Sequence, residues 1–207
     1  DIPMKGILQT SNFARAILNR ETGLIPASGR RLVSQCGIFE YEGRFIMITD
    51  AAININPDVE TQIGIVENAL PVAKALGNDC PKVAVLSAVE NVTEKMASTV
   101  TAAEIAKRGV PGCIISGPLA LDGAISMESV KHKAIHDPVA GQADILLVPF
   151  IEIGNVLYKA CTYIAGKTMA STICGASCPV VITSRADTPD SKYYSILMAV
   201  LRCIKGC

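Results

Sequence analysis

The sequence predicts an α/β fold with a mainly parallel sheet covered by helices on both faces, and three observations predict it. From residue 57 onward, helical and strand-like segments alternate along the chain, the pattern of βαβ units. The strand-like segments, such as VAVL, ILLV and PVVI, are continuous apolar runs; a sheet with one wet face would alternate instead. Half of the 207 residues are hydrophobic and only 18% are charged, with a mean hydropathy of +0.37, which suits strands buried on both sides.

Taken in order, Met4 with Ile7-Leu8 reads as a short strand. Ser11 is placed to cap a helix that carries Phe13, Ile17 and Leu18 on one face. Residues 23–31 (GLIPASGRR) form a loop. Residues 31–43 and 44–51 read as two strands around a turn at Glu42-Gly43. A long helix over 56–77 has its cap at Asn56, Pro57 in its first turn, a proline at Pro71 that can kink it, and a stop at Gly77. Strand 81–89, a helix ending at 109, strand 113–121, helix 126–135, strand 143–149, helix 154–166, strands 169–176 and 179–184, and helix 191–204 complete the chain.

Composition excludes several classes of function. The formal net charge is zero, so no basic face for nucleic acid is expected. No apolar run has the length of a membrane span, and DIPMKGILQ does not read as a secretory signal. The eight cysteines (Cys36, Cys80, Cys113, Cys161, Cys174, Cys178, Cys203 and Cys207) are scattered without zinc-knuckle spacing. They read as reduced, buried thiols of a cytoplasmic protein. His132 and His136 stand at helical i, i+4 spacing, but no HExxH accompanies them, so a solvated helix end outweighs a zinc site. GxSxG, Walker and GxGxxG motifs are absent from the sequence.

Ligands of open α/β sheets bind beyond the carboxyl ends of the strands. That places Ser34, Asp50, 87–90, 118–122, 149–155 and 184–190 in view. Within 183–192, TSRADTPDSK, a hydroxyl, a guanidinium and two carboxylates follow an apolar run at once. The planar fork of Arg185 suits a phosphoryl group; Arg15 offers a second, although a surface ion pair explains either arginine and is the preferred reading for Arg15. Asp187 and Asp190 are each a candidate base or helix cap, with Asp190 the better placed to cap. Gly154-Asn155 is read as opening a helix, where backbone N–H groups attract phosphate, with Lys159 one turn in. An ordinary Asn cap with a surface Lys explains the same residues equally well.

Five blocks of sequence carry a resemblance. TDAAININPD (49–58), KVAVLSAVENV (82–92), GPLALDGAIS (117–126), ADILLVPFIEIGNVLYKACTYIAG (143–166) and PVVITSRADTPDSK (179–192) resemble, in order and across nearly the whole chain, the phosphate acetyl/butyryltransferases. ITSRAD is closer to the butyryl branch than to the acetyl branch, where Gly normally follows Ser-Arg.

The resemblance implies an isocitrate/isopropylmalate dehydrogenase-like fold, with two α/β/α domains around a cleft and the N-terminal part of domain one absent from this sequence. Residues 1–30 would be the remainder of domain one, 31–175 domain two, and 176–207 the C-terminal return to domain one. The implied activity is transfer of a short-chain acyl group, butyryl first, between coenzyme A and inorganic phosphate in short-chain fatty acid metabolism. An acetyl-specific transferase and a truncated acyl-CoA-binding relative without catalysis are the alternatives. The resemblance also implies a homodimer with no metal or redox cofactor. Ser184 and Arg185 would act in catalysis with Asp187 or Asp190, since Ser191 stands where the acetyl branch has its proposed base. Arg15 resembles a second phosphate-binding arginine, Tyr158 and Lys159 match acyl phosphate contacts, and Asn155 lies beside them.

Overall fold

A two-residue turn decides the direction of the first strands. The computed structural model describes residues 1–19, 21–26, 31–184 and 186–206. Strands β1 (Ser34–Tyr41) and β2 (Arg44–Thr49) form an antiparallel hairpin. Glu42 and Gly43 between them both have positive φ, 51° and 79°, the geometry that follows the natural strand twist.

The chain then builds α2 (Val59–Ala75), β3 (Lys82–Leu86), α3 (Ala97–Arg108), β4 (Ile114–Leu119) and the short helices α4 (Leu121–Ile125) and α5 (Met127–Lys133). It continues with β5 (Ile145–Leu147), α6 (Ile151–Lys159), a π-helical turn (Ala160–Ile164), β6 (Ala170–Cys174) and α7 (Pro189–Lys205). Helix α1 (Thr10–Ile17) precedes them all.

The six strands lie in the order β4-β3-β5-β2-β1-β6. The sheet is mixed but mainly parallel, as expected: β2–β5, β3–β5 and β3–β4 pair in parallel, and β1, antiparallel to both β2 and β6, is the one strand of the six that runs the other way. The tight hairpin turn reverses β1 against its neighbours. Ser34, at the start of β1, therefore lies at the same edge as the ends of β2, β3, β4 and β5.

Side chains alternate between the two faces with the period of a strand. Cys36, Ile38, Met47, Val83, Val85 and Ile145 pack with Ile65, Val72, Ile105 and Met198 of α2, α3 and α7. Phe39, Ile46, Ile48, Ala84 and Leu146 pack with Ala124, Val130, Leu157 and Tyr158 of α4, α5 and α6. The expected helices on both faces are present. A third, smaller cluster joins Phe13 and Ile17 to Ile173, Val180 and Ile182.

Several boundaries differ from the sequence expectation, each for a local reason. The N-cap of α1 is Gln9, without a side-chain bond, and Ser11 lies inside the helix. Asp58, not Asn56, caps α2, accepting a bond from the amide of Thr61 at 2.8 Å. Helix α6 opens at Ile151 behind an extended Phe150, so Gly154 and Asn155 are inside it and mark no helix start. Met4 and residues 180–181 form isolated bridges, Met4 with Val181 and Val180 with Ile173, rather than strands. Cys36 and Cys174 are the buried thiols, whereas Cys80 and Cys203 are exposed and Cys113, Cys161 and Cys178 half-buried; the reading of generally buried thiols is corrected to these two, and Cys207 lies outside the described residues.

Candidate active site

Ile182 and Thr183 are buried, and the chain emerges at Ser184. Asp187 folds back at once. Its Oδ2 accepts the amide of Ser184 at 2.7 Å, and the carbonyl of Ser184 accepts the amide of Asp187 at 3.2 Å. Ser184 Oγ accepts the amide of Ala186 at 3.3 Å. Aspartate and serine commonly stabilise turns by such bonds to nearby backbone. Here they set the Asp187 carboxylate beside Ser184. Arg185 lies outside the described residues.

The next residue starts α7. Thr188 Oγ1 accepts the amide of Ser191 at 3.2 Å and so caps the helix. Asp190, expected to be the cap, stands exposed in the first turn, where its charge complements the helix dipole. Ser191 is buried, and its Oγ accepts the amide of Met169 at 3.3 Å, just before β6. Val180 pairs antiparallel with Ile173. The segment that carries Ser184 therefore turns back along β6 and does not end beyond the carboxyl ends of the strands, as the sequence suggested.

Helix α6 supplies the facing residues. Asn155, Tyr158 and Lys159 are spaced i, i+3 and i+4, hence on one side. Asn155 is half-buried and its Nδ2 donates to the carbonyl of Ala51 at 3.4 Å. Lys159 is exposed. Burial pushes the Tyr158 phenol well above its usual pKa, and the nearby charge of Asp187 pushes it further. Both effects favour the protonated phenol, and the second places Asp187 in its neighbourhood. Arg15 is exposed on α1, whose Phe13 and Ile17 pack with Ile182.

The structure thus brings Ser184 and Asp187 together, with Tyr158 within reach of the Asp187 charge; Asn155 is held to Ala51, and Lys159 and Arg15 are exposed. At the carboxyl edge of the sheet, by contrast, Lys133 binds Glu90 at 3.0 Å and Asp122 at 2.9 Å. His132 and His136 do not share a helix face. Helix α5 ends at Lys133 because Ala134 is left-handed, with φ 51°, and His132 lies 3.7 Å from Glu128. Among the described residues, no group of three His, Cys, Asp or Glu side chains is placed to hold a metal ion. No helix among them is long and apolar enough to cross a membrane.

Sequence reasoning passed over two residues here. Thr188 carried its signal in the Thr-Pro-Asp order, since Pro favours the first helical position behind a cap. Gly37 carried its signal as a glycine inside an apolar strand, which marks close approach by another group.

The molecule is an α/β protein with a mixed sheet, Ser184 and Asp187 in one turn and Tyr158 on α6. Comparison with known proteins names the group. The model of the phosphate acetyl/butaryl transferase family matches residues 1–200, and the chain belongs to that family. It is 48% identical over 204 residues to a probable phosphate butyryltransferase of Bacillus subtilis strain 168, covering 97% of this chain and 68% of that protein. It is 45% identical over 207 residues to a phosphate butyryltransferase of Clostridium beijerinckii, with the same two coverages. The solved structure of a branched-chain phosphotransacylase from Enterococcus faecalis V583 superposes with a TM-score of 0.89 at 41% identity, over 97% of this chain and 73% of that one.

Proposed function

We propose that the chain is a phosphate acyltransferase that moves a short-chain acyl group, butyryl first, between coenzyme A and inorganic phosphate: acyl-CoA + phosphate to acyl phosphate + CoA. The observation that carries this is the turn that holds the Asp187 carboxylate on Ser184, in a chain that matches the family over residues 1–200.

In the direction of acyl-CoA synthesis, the CoA sulfur attacks the carbonyl carbon of the acyl phosphate. The S–C bond forms, the bond between the carbonyl carbon and the bridging oxygen breaks, and phosphate leaves with that oxygen. The thiol must lose its proton, and at a pKa of ~8.5 it is only a few per cent thiolate at neutral pH. Lowering that pKa to about 7 is worth about 2 kcal/mol. Ser184 Oγ hydrogen-bonds the sulfur. Asp187 receives the proton, because its carboxylate is bonded to the Ser184 backbone while Asp190 sits a turn away on α7. Arg185 neutralises the phosphate and the developing oxyanion, an effect typically worth ~3–4 kcal/mol per donor. Tyr158, Lys159, Asn155 and Arg15 hold the phosphoryl end.

We extend the proposal to an isocitrate/isopropylmalate dehydrogenase-like, two-domain arrangement in which 31–175 form one domain and 1–30 with 176–207 belong to the other. The parallel bridge of Met4 to Val181, which joins the two outer stretches, supports it. Direct transfer in a ternary complex requires no metal or redox cofactor. A cytoplasmic homodimer completes the proposal; Leu197, Val200 and Ile204 of α7, all exposed, are the kind of surface that association covers.

Conversion of butyryl phosphate and CoA, followed by 31P NMR, tests the assignment. Asp187→Asn is expected to lower kcat by about 100-fold, at the lower end for a lost general base, with Asp190→Asn near the wild-type rate. Equal rates for all three proteins would remove Asp187 as the base, and no conversion by folded wild-type protein would remove the function.

A further inference from the structure

Gly37 lies in the middle of β1, opposite Ile48 of β2 and Ser171 of β6. Glycine is costly there, since it packs nothing and loses more backbone freedom on folding than any other residue. The backbone does not demand it, because φ at Gly37 is outside the left-handed range. Space demands it. A Cβ at position 37 would lie 2.6 Å from Cδ2 and 2.7 Å from Cε2 of Tyr158. Its next neighbour, Cε of Met169, is at an ordinary 3.5 Å. Position 37 faces the same way as Phe39, toward the layer that Leu157 and Tyr158 of α6 complete. The Tyr158 ring therefore rests on bare β1 backbone.

That seat is rigid, because β1 is hydrogen-bonded on both edges. A methyl group at 37 meets ring atoms of a side chain with two rotatable bonds, so the ring yields before the strand does. A π-helical turn follows at Ala160–Ile164, a feature found often at functional sites, and Thr162 Oγ1 donates to the carbonyl of Tyr158 at 3.1 Å. Asp187 of the Ser184–Asp187 turn is near enough for its charge to act on the Tyr158 phenol. The depth of the ring on β1 sets where the phenolic O–H stands relative to that turn.

We propose that Gly37 is a positioning residue for acyl transfer: it seats the Tyr158 ring against β1 and thereby fixes the phenol that donates to the acyl phosphate. This rests on the placement of Tyr158 at the acyl phosphate site. Gly37→Ala, Tyr158→Phe and the double variant of the whole chain test it, with kinetics in butyryl phosphate and CoA and calorimetric binding of butyryl phosphate alone. Tyr158→Phe is expected to lose about tenfold or more in kcat/KM, the worth of one hydrogen bond to a charged group. Gly37→Ala is expected to lose a similar factor, mostly in KM and in affinity. The double variant is expected within about twofold of Tyr158→Phe, because residues acting through one interaction are not additive.

Wild-type kinetics in Gly37→Ala, or losses that multiply in the double variant, overturn the inference. Wild-type kinetics in Tyr158→Phe would instead remove Tyr158 from the site, and the inference with it. If Gly37→Ala alone does not fold, Tyr158→Ala frees the space: adding Gly37→Ala there must restore a folded protein with the activity of Tyr158→Ala, and failure to fold overturns the seat.

Discussion

Asp50 shows how much structure one side chain can hold. It is 2% exposed at the end of β2. Oδ1 accepts the amides of Gln35, Ala52 and Ile53 at 3.0–3.1 Å, and Oδ2 accepts the amide and side chain of Asn54. Asp50→Ala leaves these donors unmet, and at ~1–3 kcal/mol for a buried unsatisfied group it should cost about 3 kcal/mol or more in urea unfolding. A loss below about 1 kcal/mol would mean water replaces the carboxylate. Burial raises the Asp50 pKa above its usual 3.8, outweighing the hydrogen bonds that lower it. A raised folded-state value means the stability gained by protonation is present below 3.8 and lost as pH rises through that value. Relative to Asp50→Asn, which does not titrate, the wild type should therefore weaken as pH climbs from 3.8; a pH-independent difference would contradict the assignment. At this scale Ser184, Asp187 and Lys159 stand out in the sequence by their position, and Tyr158 through the family resemblance. The role of Gly37 was not, because the tyrosine that needs its space is 121 positions away in sequence.

Helix α7 guards an edge strand. Unpaired backbone groups on such a strand invite association, and here a row of polar side chains occupies them. Ser191 Oγ accepts the amide of Met169, Ser195 Oγ accepts the amide of Ser171 at 2.9 Å, and Arg202 donates to the carbonyl of Ile173 at 2.8 Å. Ser195→Ala should cost about 1–3 kcal/mol by leaving the Ser171 amide buried and unmet, and Thr188→Ala about 1 kcal/mol by loss of the cap, both by denaturant melts. If Ser195→Ala costs nothing, α7 does not seal the strand. The existence of α7 was legible from its apolar periodicity. Its start was not, because several polar residues near a helix start compete to cap it and packing chooses: Thr188 over Asp190, Asp58 over Asn56. The hairpin was legible from Glu42-Gly43, whereas the antiparallel pairing of β6 with β1 joins residues 136 positions apart, as Cys36 with Thr172, and no local signal encodes it.

Across the whole molecule, Ser184 and Asp187 lie just before α7, which packs on β6, and Tyr158 lies over Gly37 of the neighbouring β1. The sequence rule for open sheets pointed to the carboxyl edge instead, where Glu90 and Asp122 are tied to Lys133. The rule failed because 179–184 does not join the sheet as a seventh strand but returns along β6. The function proposed for this arrangement stands or falls on turnover. Phosphate-dependent release of CoA thiol from acetyl-, propionyl-, butyryl- and isobutyryl-CoA, with Arg185→Ala alongside, is the most direct test. One methylene is worth ~1–3 kcal/mol of discrimination, so release should peak at butyryl-CoA, stand well above acetyl-CoA and be lost in the variant. No release from any thioester by folded protein, or full release by Arg185→Ala, would contradict the account.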